Sequence, residues 1–385
     1  MEYFFNERQK MVKDIARKIA EERIVPVRAE LDEKEQFPWD IIKEIARADL
    51  FGVNIPEEYN GLGEGILDLC LVIEELSRGC PGVAICYAAT SLGIIGLIRH
   101  GSHEQKKMYL PIAASGQKLA AFGLTESQAG SDIMAIKTTA VADGDHYVIN
   151  GTKQFITNGG EADMYTIIAV TNPARGARGT SAIVVEKDTP GFTFGKKEKK
   201  MGIRCSATRE LVFHNCRVPK ANLIGREGTG LIIALKTFDE SRPGVAAQAV
   251  GLAQSAMEEA VAYALKREQF GHSISTFQII QHMLVDMAIE IEAARALVYA
   301  TARVIDSGVK NYGEASAMAK VFASDMCMRV TTNAVQIFGG PGYMRDYPVE
   351  KMMRDAKIIQ IYEGTNQVVR TDMSSDLFKR KGKSD

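Results

Sequence analysis

Between Ser275 and Asp306 the chain has no glycine or proline, and Phe277, Ile280, Leu284, Met287, Ile291, Ala294 and Val298 recur three and four residues apart. That spacing predicts one unbroken helix of roughly 45 Å at 1.5 Å per residue. Ile279, Met283, Ile289 and Leu297 fall off the stripe and are apolar too. A helix apolar on more than one side must be covered on more than one side, here by bundle neighbours and another subunit.

The other segments group around this helix. Up to about residue 118 the chain reads as helical, with apolar residues at helical spacing in Gln9–Arg28 and Trp39–Asp49. From 119 to 230 it changes to short β-branched and aromatic runs, among them Tyr165–Val170, Ala182–Val185 and Leu211–Phe213. Asn150-Gly151, after Tyr147-Val148-Ile149, reads as a tight hairpin turn. Strands in series without intervening helices predict an antiparallel sheet or barrel. The expected fold is therefore multi-domain α+β. A helical N-terminal domain (1–118) precedes a middle antiparallel β-domain, barrel or sandwich (119–230), and a C-terminal four-helix-bundle domain (231–385) follows.

Several function classes drop out. A formal net charge of −1 offers no footprint for nucleic acid. Six scattered cysteines without a C-x-x-C pair read as reduced, buried thiols, and the histidines show no metal-ligand spacing. No Walker A motif, Rossmann fingerprint or nucleophile elbow is present. The start carries a charged amphipathic stretch, not the apolar core of a signal peptide, so the cytoplasm is the default compartment. Pro81–Ile98 is uncharged but interrupted by Cys86, Tyr87, Thr90, Ser91 and three glycines, which argues against a membrane span.

Four segments could carry chemistry. Phe122–Asp132 is dense in small residues and hydroxyls, so a ligand can approach its main chain; a surface turn explains it as well. Phe155, Ile156 and Thr157 follow, with the aromatic and the hydroxyl two apart on one strand face. Arg267–Gly271 lies between two long helices and Gln336–Gly342 ends another, each placing a Gly-rich turn where a pyrophosphate or a plain helix cap fits. Ile361–Gln367 sets Glu363 at the end of an apolar run, where poor solvation raises a carboxyl pKa as a carbon-acid base needs. Taken singly, none of these decides.

In order, they resemble one family, the acyl-CoA dehydrogenases, from near the N-terminus to about Arg370, with Lys200–Ile203 and Arg354–Arg370 adding to the match. The resemblance implies an FAD enzyme that oxidises acyl-CoA thioesters, with Glu363 as catalytic base. It places Phe122, Leu124, Thr125, Gly130 and Ser131 around the flavin, with Ser131 also near CoA. Phe155, Ile156 and Thr157 would lie against the isoalloxazine. Arg267, Phe270, Gln278, Gln336, Gly339, Gly340, Thr365 and Gln367 would contact the FAD pyrophosphate and adenosine, partly across a subunit boundary. This implies a homo-oligomer, usually a tetramer, and electron-transferring flavoprotein as electron acceptor. Asp239, Arg242 and Gly364 would hold the substrate. A second branch puts its base where this chain has Ser241, which leaves Glu240 a solvated or capping acid.

Dicarboxylyl-specific members carry an arginine in the stretch matching Pro81–Ile98, and here it is absent, so a short or medium uncharged acyl group is expected. Tyr87 either shortens the acyl pocket or packs in the helical core. An oxygen-using oxidase or monooxygenase, and a non-catalytic CoA-binding or assembly protein, remain the alternatives.

Overall fold

The computed structural model describes residues 3–381 of the chain, apart from the side chains at 375–377 and 379–381. Gly382 and Lys383, at the end of the basic stretch Lys379–Lys383, lie outside the described residues.

Six helices come first: α1 (Glu7–Ile19), α2 (Arg28–Glu33), α3 (Trp39–Arg47), α4 (Ile66–Gly79), α5 (Pro81–His100) and α6 (His103–Ala114). Asn6 and Ser102 cap α1 and α6, each accepting from the backbone N–H three residues on in a reciprocal capping box. The start of α4 is capped differently. Its N-cap is Gly65, and the Asp306 carboxylate takes the N–H groups of Ile66 (2.6 Å) and Leu67 (3.0 Å). Any side chain at 65 would collide with that carboxylate, its Cβ falling 2.3–2.5 Å from the Asp306 oxygens and carbon. Nearly every residue of α4 and α5 is buried. α5 is long and apolar enough to cross a bilayer, but 83 % of its apolar stretch is covered by the rest of the protein.

Strands β1 (Ala120–Gly123), β2 (Thr139–Asp143), β3 (His146–Thr157), β4 (Met164–Val170), β5 (Thr180–Glu186), β6 (Phe192–Lys197), β7 (Thr208–Pro219) and β8 (Leu223–Ile224) form one eight-stranded sheet. Its order is β6-β7-β3-β2-β4-β5-β8, with β1 beside β4. Most pairings are antiparallel, as expected. However, β1 and β2 both run parallel to β4, because the long loop between them brings the chain back in its original direction. The expected turn at Asn150-Gly151 is corrected. β3 runs straight through it as a bulge, with a register shift between Ile149 and Gly151. Gly151 sits at φ +142, where a Cβ would come within 2.6 Å of the Thr138 hydroxyl. The hairpin lies one turn earlier, at Gly144-Asp145, where Asp143 faces His146.

The chain then forms α7 (Gly230–Lys266), a small hairpin of β9 (Glu268–Gln269) and β10 (His272–Ser273), α8 (Gln278–Asp306), α9 (Gly313–Phe338), α10 (Val349–Ile359) and α11 (Asn366–Lys381). α8 starts three residues later than periodicity predicts, after a short 3-10 turn. Met287, Ile291, Ala294 and Val298 of its stripe are buried, while Ile279 and Ile289 stay exposed. α7, α8 and α9 pack on one another and α4 packs along α7, so one apolar core runs from α1 through the sheet to α10. All six cysteines are free and buried.

Candidate active site

The site is built where α7, the α10–α11 turn and the loop after β1 meet. Pro243 inside α7 has no N–H, so the Asp239 carbonyl loses its helical partner. The Ser316 hydroxyl of α9 supplies the bond instead, at 2.5 Å. This keeps α7 continuous through Asp239, Ser241 and Arg242, three residues of the site.

After α10 the chain turns through Glu363 (φ 52) and Gly364 (φ +92), two successive left-handed residues. For Glu363 that conformation costs on the order of 1–3 kcal/mol. The turn is held by buried Lys320, which donates to the Gly364 carbonyl (2.7 Å) and to Asn366 Oδ1 (2.8 Å). Arg242 Nε donates to the Glu363 carbonyl at 3.3 Å. The Glu363 side chain meets the Ser241 hydroxyl, which donates to Oε2 at 2.6 Å.

This carboxylate lines a narrow pocket with about 20 Å³ of free space between α4, α5 and α7, and among the described residues it is the only ionisable side chain in the lining. Burial pushes the Glu363 carboxyl above its ordinary value, while Ser241, Arg242 and Lys320 restrain the rise. Burial likewise brings the Lys320 ammonium down to about 8. A carboxylate held this way accepts a proton more readily than a solvated one.

The loop after β1 is fixed by a second buried constellation. Lys153 Nζ, fully buried, bonds Glu126 at 2.7 Å and the Leu124 carbonyl at 3.1 Å. Glu126 also takes the N–H groups of Lys137 (2.7 Å) and Thr138 (3.0 Å). Burial opposes its ionisation, but Lys153 and these donors hold its carboxyl near 2. Desolvation of the two charges offsets much of their attraction, so the pair serves chiefly to fix the loop. Gln154 N–H reaches the Thr125 carbonyl at 2.7 Å and Phe122 packs edge-on against Phe238. Thus Leu124 and Thr125 are tied to β3, the strand that carries Phe155 and Thr157, and Phe122 to Phe238 beside Asp239.

Phe155 is itself in a left-handed bulge (φ 59) and 59 % exposed, an aromatic face held out of the core. The Ile156 side chain turns into the core. Tyr87 is corrected. It takes the packing alternative, tilted against Phe51 with its hydroxyl on the Leu50 carbonyl at 2.9 Å, outside the pocket lining. Glu240 is neither solvated nor a cap; it is buried against Arg99 (2.9 Å) and the Tyr312 hydroxyl (3.1 Å).

The remaining expected cofactor residues form a separate group. Arg267 ends α7, and Phe270 (φ 55, 92 % exposed) and Gly271 make the hairpin tip. Gln278, Gln336, Gly339, Gly340 and Gln367 are exposed as well, and Thr365 is half-buried at the start of α11. Among the described residues no hydrogen bond or ion pair joins the Arg267 hairpin and the α9 end to the Phe122–Ser131 loop. Gly130, Gly271, Gly339 and Gly340 have nothing within 4 Å of where a Cβ would stand. Open backbone at these glycines and the outward Phe155 face fit a large planar cofactor with a diphosphate. Reading the sequence missed Ser241 as the donor to Glu363 and Lys320 as the anchor of its turn. The one available signal was a lone lysine inside the apolar run Ala319-Lys320-Val321.

Comparison with known proteins agrees with this arrangement. Models of the acyl-CoA dehydrogenase N-terminal, middle and C-terminal domains match residues 6–117, 121–216 and 228–378. A probable acyl-CoA dehydrogenase, FadE25 of Mycobacterium tuberculosis, is 50 % identical over 94 % of this chain and 93 % of its own. A short-chain-specific acyl-CoA dehydrogenase of Clostridium acetobutylicum is 46 % identical over 98 % of this chain and all of its own. The butyryl-CoA dehydrogenase structure from Megasphaera elsdenii is 44 % identical, covers 98 % of this chain and 100 % of its own, and superimposes with a TM-score of 0.96. A chain from a structure described as the electron transferring flavoprotein of Acidaminococcus fermentans is 50 % identical, covering 98 % and 99 %, also at a TM-score of 0.96. An acyl-CoA dehydrogenase of Bacillus anthracis, 35 % identical over 99 % of this chain and 68 % of its own at a TM-score of 0.93, was solved in complex with FAD. With three domain models spanning most of its length and relatives up to 50 % identical over nearly all of it, this chain belongs to the acyl-CoA dehydrogenase family of FAD-dependent oxidoreductases.

Proposed function

We propose that the protein dehydrogenates a short or medium uncharged acyl-CoA between its α and β carbons, with Glu363 as the base. The observation that carries this reading is the single Glu363 carboxylate in a pocket with no other ionisable lining residue. Glu363 takes the α-proton, and its raised affinity for protons suits that step. The Glu363 backbone N–H serves as a donor to the thioester oxygen; preorganised donors of this kind are worth about 3–4 kcal/mol each. Bound FAD supplies the acceptor for the hydride that leaves the β carbon.

Asp239, Arg242, Gly364 and Ser131 hold the CoA portion, the first and second already paired at 3.7 Å. Phe122, Leu124, Thr125, Gly130, Phe155 and Thr157 flank the flavin. The exposed group around Arg267, Phe270, Gln278, Gln336, Gly339, Gly340 and Gln367 reaches a neighbouring subunit's flavin, in a homotetramer. The electrons pass to an electron-transferring flavoprotein, a reading supported by the Acidaminococcus neighbour, and the enzyme works in fatty-acid metabolism in the cytoplasm.

The test is an anaerobic titration of the purified yellow protein with butyryl-, octanoyl-, isobutyryl- and cyclohexanoyl-CoA. Bleaching of the flavin absorbance by butyryl-CoA, with slow recovery in air, is the expected result. A protein that no acyl-CoA bleaches overturns the proposal.

Ser241→Ala provides a finer test of the base. Its hydroxyl lowers the Glu363 carboxyl, so its loss raises that pKa further. The base works only when ionised, so the acid limb of the kcat/KM–pH profile should move to higher pH. A limb that stays in place would show that Glu363 does not set it.

A further inference from the structure

We infer that Ile73 of α4 sets the acyl chain-length limit, by occupying the space that Gly244 leaves open in the wall of the pocket. The inference rests on the proposed reading of that pocket as the acyl site.

Ser241, Gly244 and Gln248 are spaced three and four apart, so they share one face of α7, and all three line the pocket. At one end of this face Ser241 holds the Glu363 carboxylate, with Asp239 and Arg242 close by. The reacting carbons belong at that end, and the acyl tail runs toward Gln248, seven residues and roughly 10 Å further along the helix.

Gln248 closes the far end. It is buried, its amide donates to the Pro81 carbonyl at 2.9 Å, and its carbonyl oxygen accepts the Tyr362 hydroxyl. Between the two, one turn past Ser241, stands Gly244. A Cβ placed there would lie 2.9 Å from Ile73 Cδ1, its sole close neighbour. Ile73 is itself buried and lines the same pocket from the opposite helix. A chain growing from Glu363 therefore meets Ile73 after roughly 5 Å of travel, halfway to Gln248.

The test uses the FAD-loaded enzyme and reads the ratio of kcat/KM for octanoyl-CoA to that for butyryl-CoA. The parent is expected to favour butyryl-CoA. Ile73→Ala should raise the ratio by roughly tenfold or more, the scale of selectivity that a methylene or two commands in an apolar pocket. Ile73→Val removes Cδ1 with little disturbance and should move the ratio the same way, so the inference stays testable if the alanine variant folds poorly. Adding Gly244→Ala to Ile73→Ala puts a methyl back into the vacated space and should return the ratio toward the parent value. A purely structural effect of the first substitution would not be reversed by the second. An unchanged ratio in flavin-loaded Ile73→Val and Ile73→Ala, or a parent that already prefers octanoyl-CoA, overturns the inference. If no acyl-CoA reduces the parent enzyme, the acyl-pocket reading fails and the inference falls with it; if butyryl-CoA does and the ratio never moves, the inference alone fails.

Discussion

Glu363→Gln should bind FAD and acyl-CoA but lose most of its rate of flavin reduction, by about 10²–10⁴-fold for removal of a general base. Glutamine keeps the shape of the side chain and can still accept from the Ser241 hydroxyl, so the pocket should hold its form. Removing a carboxylate that burial already disfavours also relieves a desolvation cost. The variant should therefore unfold at a denaturant concentration no lower than the parent's. Stopped-flow mixing with butyryl-CoA under anaerobic conditions reads the rate, and the visible spectrum of the unmixed protein reads flavin content. Reduction at close to the parent rate would remove Glu363 from the chemistry and turn attention to another acid. Loss of flavin together with loss of rate would point to a structural role instead.

The largest effect on stability is expected at a position outside the pocket. Asp355 of α10 is fully buried and accepts from both Lys351 and the Ile203 backbone N–H, the latter at 2.5 Å. Lys351 also lies 3.3 Å from Cys80 Sγ, at the junction of α4 and α5. The Lys351–Asp355 pair thus ties α10 to the loop that leads into β7 and to the junction of the N-terminal helices. Asp355→Ala leaves the Lys351 charge buried without its partner, a change that costs about 3–5 kcal/mol. Urea unfolding should show a large fall in the midpoint with the slope preserved. Replacing the pair together, Lys351→Met with Asp355→Leu, should recover much of the loss, because no charge then remains to be desolvated. A single Asp355→Ala variant as stable as the parent would show that the pair does not couple the three parts.

Some of this architecture was legible from residues alone. The stripe from Phe277 to Val298 identified α8, and β-branched runs identified β4, β5 and β7, because periodicity reports which face of a segment is apolar. The uncharged stretch from Pro81 to Ile98 is the α5 wall of the pocket. Asn150-Gly151 misled, since the dipeptide permits a tight turn without requiring one. The strand's pairing with β7 on its other side made a bulge the better fit. Glu240 misled in the same way, for nothing near it in sequence shows Arg99 and Tyr312 waiting to bury it.

What the sequence determined by itself was the order of helices, strands and helices, the set of chemistry-bearing segments and, through their combination, the family. Only the tertiary structure decided which of those segments meet. Ser241 reaches Glu363 across 122 positions of chain, Lys320 fixes the Gly364 turn from 44 away, and Asp306 caps α4 from 240 away. Local spacing specifies a face but not the group opposite it. A carboxyl's proton affinity depends on that opposite group and on the water excluded between them, so the character of Glu363 as a base exists only once the helices have packed.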